Sequence, residues 1–427
     1  MRLPLLTIPD VADAQLCSGC GLCAGLSPDR YDMTDIPGLG KRPRPRDEST
    51  PQPDQTEADL LAACPGRGLE HAFDEADPDL DRSLRASWGP VYEVWEGHAA
   101  DPDIRKAGSS GGAATALALW ALERGHMHGV LHTAADPETP YLNTTVMSRS
   151  RDDLLKTPGS RYAPASPAEG LPMVLDAPAP CVFIGKPCDV AAVQQARRQK
   201  AALDEKLGLL IAFFCAGTPS TQATLDLMKQ EGVADPATVT SLRYRGNGWP
   251  GEWVVQWNDN GTPREANLSY ADSWNFLQRS RQWRCYICPD HTGEFADIAV
   301  GDPWYRPTEE AQPGSSLLIA RTRRGVEILH QARDDGYLTL TTHDHSLLPR
   351  SQPNLLKTRG RLWGQLLALR FASKPTPLYT GFQTFHRFIR LTPRAQAQSL
   401  LGTLGRYRRH LDKARALPTP GKQEETP

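Results

Sequence analysis

The sequence predicts an α/β core with a mixed sheet, preceded by a small cysteine-bearing N-terminal domain and followed by a helical C-terminal extension. Four of the nine cysteines lie in the first 85 residues, around a segment rich in proline and charge. From about Gly89, apolar runs of strand length alternate with helical patterns, as in α/β proteins. From about Ser346 the pattern becomes helical and rich in arginine. The predicted domains are residues 1–85, 86–345 and 346–427.

The composition argues against some classes of binding partner. The 427 residues are 39% hydrophobic and 23% charged, with a formal net charge of -2, so we expect no nucleic acid as the main partner. The longest apolar run, from Leu207 to Gly217, is too short to span a membrane, and the first residues lack a signal-peptide pattern. We therefore expect a cytoplasmic protein whose cysteines bind metal rather than form disulfides.

Three N-terminal cysteines have the spacing of an iron–sulfur loop. Cys17, Cys20 and Cys23 form a C-x2-C-x2-C run, which places three thiolates around one cubane cluster. In ferredoxins a Cys-Pro pair follows three residues later; here that position is Ser27, and the next Cys-Pro begins at Cys64. The sequence therefore predicts a 4Fe-4S cluster bound by these four cysteines. The alternative is a four-cysteine zinc site, which usually has two C-x2–4-C pairs.

The predicted elements follow in chain order. Residues 38–59 are predicted to form a surface loop, because their prolines and charges bury little apolar surface. Cys181 begins an apolar strand and is predicted to be a structural core residue. The tail from Leu417 is predicted to be disordered. The other predictions are strands over 181–185, 207–215, 252–257 and 295–301, helices over 189–200 and 218–232, and a hairpin turn at 258–261.

Four further cysteines are predicted to form a second cluster site. Cys188 directly follows one predicted strand, and Cys215 ends the next. If those strands are parallel neighbours, both thiols emerge at the carboxyl edge of the sheet, where open α/β folds bind ligands. A loop carrying Cys285 and Cys288 would close over them and complete the ligand set. The alternative is that Cys188 and Cys215 are inert buried thiols.

A glycine-rich segment is predicted to hold phosphate at the start of a helix. Residues 109–112 read Ser-Ser-Gly-Gly and precede apolar positions at helical spacing, which end at Gly125. Ser109 or Ser110 is the predicted N-cap, and the glycines expose backbone N–H groups at the positive end of the helix. Residues 160–162 offer a cation and an aromatic ring to a flavin. The alternatives are a capped helix start without a ligand and a plain surface turn.

Together these segments resemble the family of the beta subunit of coenzyme F420-reducing hydrogenase and dehydrogenase, which includes 7-hydroxymethyl chlorophyll a reductase and ferredoxin-dependent divinyl chlorophyllide 8-vinyl reductase. The resemblance implies FAD held against the mixed sheet, 4Fe-4S clusters in line with it, and two-electron chemistry at flavin N5 on a conjugated substrate. Lys186 departs from the small or hydroxylated residue expected there, and the distant Cys64 argues against a chlorophyll substrate. The matching stretches are 17–23, 109–115, 159–162, 187–188, 214–217, 244–250 and 285–301. The predicted cofactor-binding residues are Ser109, Ser110, Gly111, Gly112, Thr115, Ser160, Arg161 and Tyr162.

The function predicted from these features is that of an iron–sulfur flavoprotein oxidoreductase acting on CH or CH2 groups. A one-electron donor, ferredoxin or another redox protein, docks near the first cluster, and electrons pass through the second cluster to FAD. The substrate is a conjugated small molecule such as coenzyme F420, a tetrapyrrole or another metabolite, and the direction of electron flow is open. No proton donor is predicted, because His126, His128 and His132 cluster in the manner of incidental loop histidines. The alternatives are a non-catalytic electron-relay subunit and a structural zinc protein.

Overall fold

The computed structural model describes residues 5–47, 51–306, 313–342 and 346–415. Short 3-10 turns occur at Pro167–Gly170, Pro236–Thr238 and Gln278–Ser280. The strands within the described residues are β1 (Tyr31–Ile36), β2 (Gly40–Pro45), β3 (Gly68–Glu70), β4 (Glu93–Ala99), β5 (Val130–Ala135), β6 (Asn143–Ser148), β7 (Cys181–Gly185), β8 (Leu207–Phe213), β9 (Val239–Arg243), β10 (Glu252–Asp259), β11 (Thr262–Ser269), β12 (Ile298–Gly301), β13 (Ser316–Ala320), β14 (Leu338–Thr342) and β15 (Leu378–Thr380).

The helices in the same ranges fall between and after these strands, and the longest lie in the C-terminal part. They are α1 (Ile8–Asp13), α2 (Leu22–Leu26), α3 (Gln55–Ala63), α4 (Arg85–Trp88), α5 (Pro102–Ala107), α6 (Ala113–Glu123), α7 (Arg151–Leu155), α8 (Leu171–Leu175), α9 (Pro187–Arg197), α10 (Ala201–Lys206), α11 (Thr221–Gln230), α12 (Tyr270–Leu277), α13 (Trp283–Tyr286), α14 (Arg323–Asp334), α15 (Leu347–Ser351), α16 (Pro353–Phe371), α17 (Thr384–Phe388) and α18 (Pro393–Arg415).

The centre of the fold is an eight-stranded mixed sheet of order β14-β4-β13-β12-β8-β7-β5-β6. Strands β12, β8, β7 and β5 are parallel, and the flanking pairs are antiparallel. The two strands predicted around Cys188 and Cys215 are β7 and β8, and their parallel pairing confirms the prediction. The carboxyl ends of four strands therefore share one edge of the sheet, the carboxyl edge, where ligand sites of α/β folds form.

Successive side chains of a buried strand point to opposite faces of the sheet. In β7, Val182 and Ile184 pack with α6 and α14, whereas Cys181 and Phe183 pack with α8, α9 and α10. All five residues of β7 are buried, as expected for a parallel strand covered by helices on both sides. Cys181 is thus part of the core, as predicted. The predicted hairpin at 258–261 is also present, joining β10 to β11 in a separate sheet of order β11-β10-β9.

The predicted surface loop over residues 38–59 is wrong. Strand β2 lies within it and pairs antiparallel with β1, and α3 follows. Arg42 is only 6% exposed, and its guanidinium donates to the Lys41 carbonyl and to Gln282 Oε1. Strand pairing satisfies the backbone, and the Gln282 amide oxygen accepts a hydrogen bond from Arg42, so this polar stretch can be ordered. Residues 48–50 lie outside the described part of the chain.

The C-terminal helices pack on the N-terminal segment. Leu362 and Leu366 of α16 and Tyr407 of α18 share a buried cluster with Leu60 of α3 and Trp283. Strand β15 pairs in parallel with β3. The described residues of the predicted helical extension form α15, α16, α17 and α18, with β15 between α16 and α17, and the tail from Leu417 lies outside the described residues. None of the helices described is long and apolar enough to span a membrane.

A buried carboxylate connects the three parts of the chain. Glu294 follows the second cysteine pair, forms a salt bridge with Arg359 of α16, and lies 2.9 Å from Nε2 of His71. Burial alone would raise the pKa of Glu294, but Arg359 and the hydrogen bond from His71 lower it to about 2. Because the unfolded carboxyl titrates near 4.5, this contribution to stability is complete above about pH 4.5 and is lost as the pH falls towards 2.

We expect Glu294→Gln to lower the free energy of unfolding at pH 7 by about 1–3 kcal/mol, because Arg359 and His71 lose a charged acceptor. The variant should also lose stability less steeply than the wild type on acidification below pH 4.5. Denaturant titrations from pH 7 to pH 3 measure both effects, with the exposed Glu252→Gln as control. Equal acid sensitivity of wild type and Glu294→Gln would contradict this account.

Candidate flavin and iron–sulfur sites

A cavity of about 280 Å3 opens at the carboxyl edge of the sheet. It is bounded by the start of α6, the residues that follow β7 and β8, and the segment before the 3-10 turn at Pro167–Gly170. Gly111 is not among its lining residues. Seven of the eight predicted cofactor-binding residues line it: Ser109, Ser110, Gly112, Thr115, Ser160, Arg161 and Tyr162.

The helix start at this cavity differs from the prediction. The N-cap of α6 is Gly112, not Ser109 or Ser110. Gly111 and Gly112 have φ values of 74° and 70°, a left-handed conformation that glycine adopts without strain. The tight turn frees Ser109 Oγ to accept a hydrogen bond of 2.7 Å from the Ser160 backbone N–H. The two predicted cofactor segments are therefore joined directly.

We expect Gly112→Ala to disrupt this turn. A Cβ atom there would collide with the Ile104 carbonyl and would hold a left-handed φ that costs roughly 1–2 kcal/mol for a side chain. Bound flavin should fall well below the wild-type level, as measured by flavin released per chain. Gly402→Ala in α18 is the control, since its Cβ would meet nothing within 4 Å. Full flavin retention in Gly112→Ala would show that the turn is not needed.

Arg161 uses most of its hydrogen-bond donors within the protein. Its guanidinium donates to Asn143 Oδ1 at 2.6 Å and to backbone carbonyls of residues 140, 142 and 242. It also lies 5.3 Å from the ring centroid of Tyr244. Burial lowers its pKa. Arg161 therefore shapes the cavity wall by tying β6 and β9 to the predicted cofactor segment, with few donors left for a ligand.

Another group of lining residues was not assigned a role by the sequence analysis. Arg245 and Asp302 form a bidentate ion pair with N–O distances of 2.8 and 2.5 Å, and Trp249 Nε1 donates to the same carboxylate. The rings of Tyr270 and Trp304 stack on each other and lie 4.6 and 5.3 Å from the Arg245 guanidinium. The sequence feature that pointed to this group is the position of Asp302, which directly follows β12. Cys215 follows β8 in a similar way.

The first cysteine set surrounds a small space of about 20 Å3. The lining of that space includes all four predicted ligands, Cys17, Cys20, Cys23 and Cys64. Burial and the neighbouring Cys17 raise the pKa of Cys64 to about 11, and burial with the nearby thiols also raises those of Cys20 and Cys23. The Gly19 N–H donates to Cys17 Sγ at 3.3 Å. Four thiols around one small space, one in a buried residue and three in half-buried residues, fit a shared cationic group.

The second predicted set is also brought together. Cys188 lies in the first turn of α9, Cys215 follows β8, and Cys285 lies in α13, three residues before Cys288. Burial and Cys285 raise the pKa of Cys215 to about 12, and burial raises that of Cys288 to about 11 despite Arg284. The Thr218 N–H donates to Cys285 Sγ at 3.4 Å. Among the described residues, no three His, Cys, Asp or Glu side chains are spaced to hold a single metal ion.

Lys186 connects the second cysteine set with the cavity. It precedes Cys188 by two residues, and both Lys186 and Cys215 line the cavity. Its Nζ forms a 2.7 Å salt bridge with Asp189 and donates to the Ala165 carbonyl. Burial opposes the charge of Lys186, but Asp189 and the two nearby thiols outweigh it and raise its pKa. A cation therefore lies where the thiol set meets the cavity.

Two family models cover this core. A model described as coenzyme F420 hydrogenase/dehydrogenase, beta subunit N-term, matches residues 94–171, and the corresponding C-terminal model matches residues 180–346. Together they account for more than half of the chain. The chain belongs to the coenzyme F420 hydrogenase/dehydrogenase beta-subunit family. The resemblance predicted from the sequence is confirmed, and the first cysteine set and the C-terminal helices lie outside the two matched ranges.

Individual members of the family are similar to different extents. The beta subunit of F420-dependent formate dehydrogenase 1 from Methanococcus maripaludis is 27% identical over 247 residues, 58% of this chain and 60% of that subunit. The beta subunit of coenzyme F420 hydrogenase from Methanosarcina barkeri is 24% identical over 249 residues, 55% of this chain and 77% of that subunit. A solved chain of the F420-reducing [NiFe] hydrogenase complex from Methanosarcina barkeri has a TM-score of 0.50 at 21% identity, covering 64% of this chain and 91% of that one. This last similarity supports the mixed α/β fold.

Proposed function

We propose that this protein is an iron–sulfur flavoprotein oxidoreductase that passes electrons between a one-electron partner and a conjugated two-electron substrate. One observation carries the proposal: eight buried or half-buried cysteines form two groups, and Cys215 of the second group also lines the cavity of the predicted flavin segments. Such adjacency is needed if a cluster and a flavin exchange electrons. Family membership supports it, since the relatives are named as subunits of F420-dependent oxidoreductases.

Each cysteine set is proposed to hold one 4Fe-4S cluster. Thiolates are the required ligands, yet burial and mutual repulsion disfavour four of them in one place unless a cationic group accompanies them. Iron in a cluster provides that charge. Cys17, Cys20, Cys23 and Cys64 would hold the first cluster, and Cys188, Cys215, Cys285 and Cys288 the second. A four-cysteine zinc site remains the competing hypothesis for each set, and metal analysis separates the two.

FAD is proposed to occupy the cavity at the carboxyl edge. The glycine turn before α6 presents backbone N–H groups and the Ser110 side chain to a diphosphate, at the positive end of an eleven-residue helix. The aromatic residues Tyr162, Trp274 and Trp304 offer flat apolar surfaces to the ring system. A bound flavin couples one-electron transfer with the clusters to two-electron transfer with the substrate. Lys186 would place a positive charge between flavin and cluster.

The partner and the substrate follow from this arrangement. A ferredoxin or another redox protein is proposed to deliver single electrons near the Cys17–Cys64 set, in the N-terminal domain of residues 1–85. The substrate is proposed to be a planar conjugated molecule, with coenzyme F420 as the first candidate because the relatives are named for it. Since those relatives are named as subunits, a relay role within a larger complex is the second candidate.

The test is an electron-transfer assay on the full chain, reconstituted anaerobically with iron, sulfide and FAD. We expect reduced ferredoxin to bleach the flavin, and added coenzyme F420 to reoxidise it with loss of F420 absorbance. Cys285→Ser should lose the first step, and Cys181→Ala, which alters only a core thiol, should retain it. Flavin reduction without F420 turnover would favour the relay role, and wild-type flavin that ferredoxin does not reduce would contradict the proposal.

A further inference from the structure

A second large cavity is lined in part by residues next to Cys285 in the chain. Its volume is about 310 Å3, similar to that of the proposed flavin cavity. We call it the basic recess. It forms where the N-terminal segment, the turn before α13 and the C-terminal helix α18 meet, and it is lined by Gln15, Gly38, Leu39, Arg42, Arg279, Ser280, Arg281, Gln282, Trp283, Tyr286, Arg406, Arg409 and His410.

The charge of the recess has one sign. Among the described residues, five arginines and no carboxylate line it, and none of the five arginines forms a salt bridge. Asp35, whose pKa is raised by burial and lowered by Arg42 among others, has a carboxylate that accepts a hydrogen bond from Thr221 Oγ1. Burial lowers the pKa of Arg406, and Arg409 lowers it further. Several arginine charges therefore lie close together without a salt bridge. Their mutual repulsion lowers the stability of the protein unless an anion binds among them.

Two buried donors in the lining have no partner. Arg42 is 6% exposed and its Nε–H makes no hydrogen bond, and Trp283 is 3% exposed with its indole N–H equally unpaired. Buried donors in native proteins are nearly always satisfied, so each unpaired one requires an explanation. Both belong to residues that line the same acid-free space. Both atoms are themselves inaccessible, so an acceptor bound in the recess reaches them only if the lining rearranges.

The guanidinium groups at the mouth are held in place. Arg281 and Arg406 both lie over the ring of Tyr286, at 5.1 and 5.4 Å from its centroid. Arg281 also donates to the backbone carbonyls of Gln278 and Ala216. Fixed arginine forks lose little entropy when they bind carboxylate or phosphate oxygens, and they match the planar geometry of these groups. The recess is thus preorganised for an anion.

We propose that the basic recess binds a small, multiply charged anion bearing phosphate or carboxylate groups. Its volume suits a small molecule with at least two anionic groups, because five guanidiniums are distributed around it. The site is distinct from the flavin cavity, since none of its lining residues lines both. Gln15, Arg42 and the residues of α18 also lie outside the ranges that match the family models. Seven of the thirteen lining residues thus lie outside the family core and six within it.

The test is calorimetric titration of the full-length, FAD-saturated protein with pyrophosphate and, separately, with citrate. We expect saturable one-to-one binding of at least one probe, weakened at least about tenfold by Arg406→Gln with Arg409→Gln, because each charge-assisted hydrogen bond contributes that much. Arg408→Gln is the matched control: Arg408 is an exposed neighbour on the same helix and does not line the recess. The preferred probe distinguishes phosphate from carboxylate recognition.

Two results would overturn the proposal. One is the absence of saturable binding of either probe at low ionic strength. The other is an equal loss of affinity in Arg408→Gln, which would indicate a nonspecific charge effect. If the double variant proved unstable by circular dichroism, Arg409→Gln alone would serve, since Arg409 is exposed. The result is independent of the oxidoreductase proposal, because no cysteine and no flavin-cavity residue is altered.

Discussion

Cys64→Ser is expected to remove half of the iron from the protein while leaving the flavin bound. Cys64 is separated by 40 residues from the other three ligands of its set, yet all four line one small space. Without the fourth thiolate the first cluster is not retained, so iron should fall from about eight to about four atoms per chain. Helix α3 ends at Cys64 and packs in the same hydrophobic cluster as Leu362. We therefore also expect the variant to have a lower midpoint of thermal unfolding.

Iron analysis of anaerobically purified protein measures this prediction. Cys181→Ala is the matched control, since Cys181 is fully buried in β7 and belongs to neither set, and it should keep all the iron. Retention of full iron by Cys64→Ser would remove Cys64 from the ligand set. Loss of both iron and flavin together would mean that the two cofactor sites fold as one unit.

Asp302→Ala is expected to destabilise the protein by roughly 3–5 kcal/mol, because it leaves the buried Arg245 without its charged partner. Arg245 is 2% exposed, and the variant leaves it only the Pro250 carbonyl among the acceptors seen here. Burial would lower the pKa of Arg245, and Asp302 reverses that effect. The indole N–H of Trp249 also loses its acceptor. The aromatic wall of the cavity should loosen, and flavin affinity should fall.

Denaturant titration and flavin binding on the same variant separate the two effects. Asp259→Ala breaks an exposed pair with Arg264, with N and O atoms 3.6 Å apart, and should leave stability unchanged. Asp302→Asn keeps an acceptor for Trp249 and should fall between wild type and Asp302→Ala. Wild-type stability in Asp302→Ala would show that Arg245 is satisfied by other means.

The sequence alone predicted the elements that depend on residues close together in the chain. The parallel strands β7 and β8 are continuous apolar runs, and their pairing follows from the helical connection between them, which consists of α9 and α10. The grouping of Cys188 with Cys215 depended only on that pairing. The glycine turn before α6 was also visible, although the capping residue was not, because two left-handed glycines move the helix start beyond the serines.

The failures concern contacts between residues distant along the chain. Strand β2 is charged and rich in proline, and it is ordered by β1 and by Gln282, 240 residues away. The Arg245–Asp302 pair joins segments 57 residues apart, and only the sheet order brings β12 beside β8. The basic recess requires the two ends of the described chain to meet. Such pairings depend on the tertiary arrangement, which local propensity does not encode.

The most direct test of the account is metal and flavin analysis of a single anaerobically purified sample of the full chain. The account predicts about eight irons and about one FAD per chain, with a broad absorption shoulder near roughly 400 nm on the flavin bands. Iron for one cluster would leave only one of the two cysteine sets as a cluster site. Zinc in place of iron, with no flavin, would contradict the account and indicate a structural four-cysteine protein.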